Sequence, residues 1–98
     1  MKVFISQPMT RLSSAAVKAD RKSAMEEVKK LVGKDVEFID SYNPKPGDTF
    51  AELGRCLSLM SEADAVYFVP GWSSSFGCSI EYSCARYFNK MIIKKEEI

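Results

Sequence analysis

The apolar positions of the chain change their period several times, and each change marks an element. KVFIS at 2–6 is a short run of strand formers closed by Gln7 and Pro8, which predicts a first strand. From Ser13 or Ser14 onward, Val17, Ala24, Met25, Val28, Leu31 and Val32 recur at helical spacing among lysines and glutamates, and Gly33 follows as a stop. That pattern is an amphipathic helix of about five turns. DVEFI at 35–39 predicts a second strand, and SYNPKPGD then breaks regular structure with Pro44, Pro46 and Gly47. Thr49 and Glu52 have the spacing of a capping box ahead of an apolar stripe of Phe50, Leu53, Leu57 and Met60, giving a helix over about 49–62. DAVYFVP at 64–70 is apolar without alternation, as a central strand buried on both faces should be. After GWSSSFG, a third helix is expected over about 76–89 with Phe76, Ile80, Cys84 and Phe88 on one face, and MIIK at 91–94 reads as the last strand.

Strands that alternate with helices imply right-handed crossovers and a parallel sheet covered on both faces. Ligands in such sheets sit beyond the carboxyl ends of the strands, near the point where strand order reverses. The segments leaving those ends are SQPMTRL, DSYNPKPG and PGWSSSFG, and the polar, aromatic and glycine residues concentrate there.

Composition narrows the chemistry. Ninety-eight residues, 46% hydrophobic and 28% charged, suit one compact domain over 1–98. Fourteen basic against thirteen acidic side chains leave a formal charge of +1, so the footprint of a nucleic-acid binder is missing. No apolar run approaches membrane-spanning length, and MKVFISQPM is too short and too quickly polar for a signal peptide, so a cytoplasmic protein without a membrane partner is expected. Cys56, Cys78 and Cys84 form no CxxC pair and read as reduced, small core residues. With no histidine, Ser-His-Asp and Cys-His catalysis and imidazole metal sites are excluded, and no DxDxD-type spacing supports a carboxylate metal site. The dinucleotide and nucleoside-triphosphate glycine motifs are missing too, so no cofactor is expected.

Carboxylates remain for acid–base work. Glu81, near the start of the third helix, either complements the helix dipole or is aimed at a ligand held by the SSSFG loop before it. Asp40, directly after the second strand, either closes an Asx-type turn or faces a ligand, while Asp64 taken alone is a capping residue. Arg11 after the first strand is either a solvated surface group or an anion partner. Trp72 is a lid, an interface residue or a stacking platform. Ser75 lacks a histidine base and is no nucleophile.

FISQPM, EADAVYFV and SFGCSIEYSCA together make the chain resemble the nucleoside 2-deoxyribosyltransferase superfamily, including its 5′-monophosphate N-glycosidases and its short bacterial and phage relatives. The most specific part is S-x-G-x-x-x-E, met by Ser75, Gly77 and Glu81 and followed by Ala85. The resemblance implies a small flavodoxin- or Rossmann-like three-layer α/β fold with a four-stranded parallel sheet in the order 2-1-3-4. It implies that Glu81 attacks or stabilises the anomeric carbon as an N-glycosidic bond breaks, with Asp64 as a second acid. Ser75 and Gly77 would meet a 5′-phosphate, and the loop from Ser6 through Gln7 and Met9 to Arg11 would wall the base and sugar pocket, with Asp40 and Trp72 nearby. Many enzymes of the superfamily carry a glycine where this chain has Gln7 or Pro8. The chemistry suits the residues, because an oxocarbenium-like state is stabilised by an ionised carboxylate and a helix N-terminus helps keep Glu81 ionised. The implied activity is N-glycosidic cleavage or base exchange on a (deoxy)ribonucleoside or its 5′-monophosphate; the alternative is a non-catalytic binder of a nucleotide-derived ligand. A homodimer or higher homo-oligomer is expected, with Trp72, Tyr42 and Phe50 covered by association.

Overall fold

A computed structural model describes residues 1–8, 12–43 and 49–94. In chain order it contains β1 (Lys2–Ser6), α1 (Ser14–Val32), β2 (Glu37–Phe38), α2 (Thr49–Met60), β3 (Ala65–Phe68), a single 3-10 turn (Trp72–Ser74), α3 (Phe76–Tyr87) and β4 (Met91–Lys94). The strands pair in parallel in the order β2-β1-β3-β4, the α/β topology expected from the sequence. β3 is central, and all four of its residues are buried.

The two-residue period of the strands sorts the core into two layers. Val3 and Ile5 of β1, Ala65 and Tyr67 of β3 and Ile93 of β4 pack with Ala24 and Val28 of α1 on one face. Phe4, Val66 and Phe68 pack with Cys56 and Met60 of α2 and Ala85 of α3 on the other. This alternation decides where the site forms. Continued past the core, it sends the Ser6 side chain towards α3 and the next residue, Gln7, towards α1. At the carboxyl end of β1, beside β3, the crossovers diverge, to β2 on one side and to β4 on the other.

α1 begins at Ser13, whose Oγ accepts the Ala16 N–H at 3.1 Å, and ends at Gly33, whose φ of 97° is costly for a residue with a Cβ. Its buried stripe is Val17, Arg21, Ala24 and Val28, so a guanidinium occupies a core-facing position.

Several expectations are corrected. β2 keeps only two paired residues of the five, although the Glu37 and Ile39 N–H groups still donate to the Met1 and Val3 carbonyls. The inward face of α3 is Cys78, Glu81 and Ala85, whereas Phe76 and Phe88 are 80% and 69% exposed. Both sets satisfy a helical period. The small set faces the sheet because α3 lies close against β3, where Ala85 is fully buried. On α2, Cys56 and Met60 point inward and Phe50 is 84% exposed. Trp72 is half-buried within its own chain, its ring tilted against Tyr82 at 4.5 Å between centroids and close to Phe68. No helix among the described residues is long and apolar enough to cross a membrane.

Candidate functional site

Two polar clusters meet at the carboxyl end of β1. The first is built on α3. Ser75 caps that helix, its Oγ accepting the Cys78 N–H at 3.4 Å. Glu81 stands sixth in the helix, on the inward face, and is only 6% exposed. The Ser6 hydroxyl donates to Glu81 Oε1 at 2.6 Å, a contact between residues 75 positions apart in the chain. Burial pushes the Glu81 carboxyl above the ordinary range, and the Ser6 hydrogen bond draws it part of the way back. The helix N-terminus, expected to help keep Glu81 ionised, is outweighed by burial. The dipole acts within the first turn, Glu81 is in the second, and desolvation dominates.

The second cluster joins α1, the end of β2 and α2. The Gln7 amide nitrogen donates to the Val17 carbonyl at 3.1 Å. Arg21 Nη2 donates to Ser41 Oγ at 3.1 Å, and burial pulls the guanidinium pKa down against the raising influence of Asp40. On α2, Arg55 Nε bonds both oxygens of Glu52, at 3.2 and 3.1 Å, and Arg55 Nη2 reaches the Ser41 carbonyl at 2.6 Å. Asn43 Nδ2 adds a further donor to Glu52 at 3.2 Å. Arg55 above all, with Asn43, holds Glu52 below the ordinary carboxylate range. Cys56 is pushed up to about 11, first by burial and then by Glu81 and Glu52, so its thiol stays protonated and is no nucleophile at neutral pH.

Between the clusters runs a cleft of about 160 Å³. Ser75, Gly77 and Glu81 form one wall, and Gln7 and Arg21 form another. Glu52 and Cys56 close a third side. Its two carboxylates are driven in opposite directions by their surroundings, as acid and base pairs at functional sites are. Among the described residues no group of three or more Cys, Asp or Glu is arranged to hold a metal ion.

The structure thus gathers Ser6, Gln7, Ser75, Gly77 and Glu81 from the set read in the sequence. Asp64 is not gathered. It precedes β3 at the amino end of the sheet, where its carboxylate accepts the Lys2 N–H at 2.8 Å. Phe68, the register partner of Ser6, is four residues further along, so Asp64 stands roughly 13 Å from the site end of the strand. Its role as a second acid is replaced by a strand-end cap. Asp40 is exposed and accepts the Tyr42 N–H at 3.3 Å, the Asx-type turn, and its field acts on Arg21 and Arg55. Trp72 lies outside the cleft lining, and Met9 and Arg11 fall outside the described residues. Sequence reasoning missed Arg21 and Glu52 as site residues. Arg21 had a visible signal, a charge one turn after Val17 on the apolar stripe of α1. Glu52 has the spacing of a capping box, and its carboxylate accepts from Arg55, Asn43 and Cys56.

Compared with known proteins, the family model for a domain of unknown function (DUF4406) matches residues 1–94. No curated protein matches the chain.

Proposed function

The chain belongs to the DUF4406 family, a domain of unknown function, and from the chemistry of its cleft we propose that it cleaves or exchanges the N-glycosidic bond of a (deoxy)ribonucleoside or its 5′-monophosphate. The observation that carries this reading is Glu81: a buried carboxylate fixed by Ser6 at the strand-order switch, beside the helix cap Ser75. The Ser6 hydroxyl occupies Oε1, which leaves Oε2 to face an anomeric carbon. Either Oε2 attacks that carbon while the bond electrons leave with the base, or the carboxylate stabilises an oxocarbenium ion without bonding to it. In the covalent route water or a second base then displaces Glu81 and regenerates the carboxylate. Water gives a hydrolase and a base gives a transferase. On this proposal the chain is a nucleoside deoxyribosyltransferase-like domain, and Ser75 and Gly77 lie where a 5′-phosphate would meet the start of α3.

The test incubates the protein with a panel of deoxynucleosides and monophosphates, with and without an acceptor base, and measures free base by chromatography. Release or exchange well above a Glu81→Ala background is expected, and Asp64→Ala should keep it because that carboxylate is remote. If no substrate yields base above background, the catalytic reading is refuted.

A second reading, a non-catalytic binder using the same cleft, is favoured by two observations. Desolvation opposes ionisation of Glu81, and the second acid expected at Asp64 stands elsewhere. Saturable binding with the ligand recovered intact would establish it, whereas Glu81-dependent turnover would remove it.

The proposal extends to a cytoplasmic homo-oligomer. Free thiols at Cys56, Cys78 and Cys84 suit a reducing compartment, and exposed Phe76 on α3 and Phe88 directly after it support association alongside Trp72. Light scattering at micromolar concentration reports the mass; a fully active monomer would remove the oligomer from the account.

A further inference from the structure

A second concavity lies along α1, apart from the cleft. It is an open groove of about 410 Å³ between α1 and the carboxyl end of β3, and no described residue lines both sites. Tyr67, Val69 and Pro70 form its floor, and Asp20, Ser23 and Glu27 stand along its helical wall. Asp20 and Glu27 are seven positions apart, so they share one face of α1 about 10 Å apart along the axis, with Ser23 between them. Glu26 and Lys30 complete the rim, which sets three carboxylates against one ammonium group. A row of acids on a helix means little alone, since solvated faces are commonly charged. Tyr67 makes this one different. The residue is only 2% exposed, and its ring packs in the core with Ala24, Val28 and Ile93. Its hydroxyl has no hydrogen-bond partner among the described residues. The side-chain atoms that are both sealed from solvent and unpartnered are Gln7 Oε1 and Arg21 Nε, so the Tyr67 oxygen, unpartnered but not sealed, opens into the groove it lines. Burial first, and the charge of Glu27 second, push the phenol above its ordinary range, so it keeps its proton and can both donate and accept.

We propose that this groove binds an aliphatic di- or polyamine cation, with ammonium groups at Glu27 and Asp20, one N–H donated to the Tyr67 oxygen, and methylenes on Val69 and Pro70. An anion would meet three carboxylates. A bare divalent ion needs several oxygens converging on one point, and among the described residues no group of three Cys, Asp or Glu is so arranged. A row of charges spread over two helical turns matches a cation that is itself extended, and the apolar floor between the charges matches its hydrocarbon links. Lys30, three residues beyond Glu27, repels a further ammonium group and marks where the ligand ends. The inference is independent of the N-glycosidic reading, because it uses none of the cleft residues.

The experiment titrates spermidine, butylamine and magnesium chloride by calorimetry into the wild type and into Tyr67→Phe, Glu27→Gln, Asp20→Asn and Glu81→Ala, and records each melting temperature without ligand. One spermidine per chain is expected on the wild type, more weakly as salt is added, with butylamine much weaker because it reaches one carboxylate only. Glu27→Gln should weaken spermidine about tenfold and Tyr67→Phe about fivefold, whereas the more exposed Asp20→Asn should cost about threefold. Tyr67→Phe should melt no lower than the wild type, since it removes a hydroxyl without an internal partner and keeps the buried ring. Glu81→Ala should bind spermidine as the wild type does. Magnesium that binds as well as spermidine, or spermidine affinity that ignores Tyr67→Phe and Glu27→Gln, would reduce the groove to a charged surface and overturn the proposal. A Tyr67→Phe protein that melts far below the wild type would give the hydroxyl a structural role instead. Spermidine binding lost in Glu81→Ala but kept in Glu27→Gln would move the amine to the cleft, which also overturns the proposal.

Discussion

Replacing Glu81 with glutamine should lower base release by roughly a thousandfold or more and, at neutral pH, make the protein more stable. The two effects share one cause. The amide would preserve the shape of the side chain and still accept from Ser6, but it would have no charge to offer an oxocarbenium ion and no nucleophilic oxygen. The stability gain follows from the sign of the pKa shift. Burial raises the Glu81 carboxyl above its ordinary value of 4.5. The folded state therefore binds this proton more tightly than the unfolded chain does, and its stabilising effect is complete below the unfolded value. That stability is lost as pH rises through the folded value, with a slope of at most about 1.4 kcal/mol per pH unit. The wild type should fall progressively below Glu81→Gln as pH climbs past 4.5, and the gap should level off above the folded value. Glu52 behaves in the opposite sense. Its carboxyl is held down by Arg55, so its contribution is present above 4.5 and fades as pH falls through the folded value. Because Arg55 is partly exposed, that contribution should stay under about 1 kcal/mol. Urea denaturation of Glu81→Gln and Glu52→Gln between about pH 4 and 8 separates the two residues. A Glu81→Gln protein that is less stable than the wild type at neutral pH would show that the ionised carboxylate holds the fold together, contrary to the desolvation argument.

What could be read in the sequence depended on whether a signal was local. The α1 boundaries were legible because a serine cap and a glycine stop are chemistry within a few residues, and both act as expected. β3 was legible from its unbroken apolar run. The parallel sheet followed from alternation and crossover handedness, which constrain any chain, whereas its order 2-1-3-4 came from the resemblance. The importance of Glu81 came from a resemblance in spacing; its bond to Ser6 spans 75 positions and no local pattern encodes it. The face of α3 was misread for a related reason. Phe76 and Phe88 carry more hydrophobic weight than Cys78 and Ala85, but close approach to β3 selects small residues, and that distance is a tertiary fact. The distance between Asp64 and Glu81 depends on the parallel direction of β3, which puts Asp64 at the amino end of the strand, away from Ser6. Arg21 is the instructive miss. A charge on an otherwise apolar stripe breaks the binary pattern, and such breaks tend to fall where function overrides packing.

Truncating Phe68 to alanine should cost about 3–5 kcal/mol, the largest stability loss expected of a single side chain here. Phe68 is fully buried in the central strand, and its ring lies 5.3 Å from both Trp72 and Tyr82, with the Tyr82 contact edge-on. The cluster ties β3 to the 3-10 turn and to α3, so the cavity left by truncation opens onto two further elements at once. A domain of this size has roughly 5–15 kcal/mol of total stability, so the loss should take a large part of it and lower the melting temperature by about 15–30 °C. The damage should also reach the site. Phe68 is the register partner of Ser6, and α3 carries Glu81, so loosening this seam disturbs the 2.6 Å bond between them. Lys22→Ala on the exposed face of α1 is the control, with an expected change within about 0.5 kcal/mol. Thermal denaturation followed by circular dichroism compares the two. A drop of only a few degrees in Phe68→Ala would mean that the stability of the fold resides in the α1 face of the sheet, and that the aromatic seam beneath the cleft serves mainly to place Glu81.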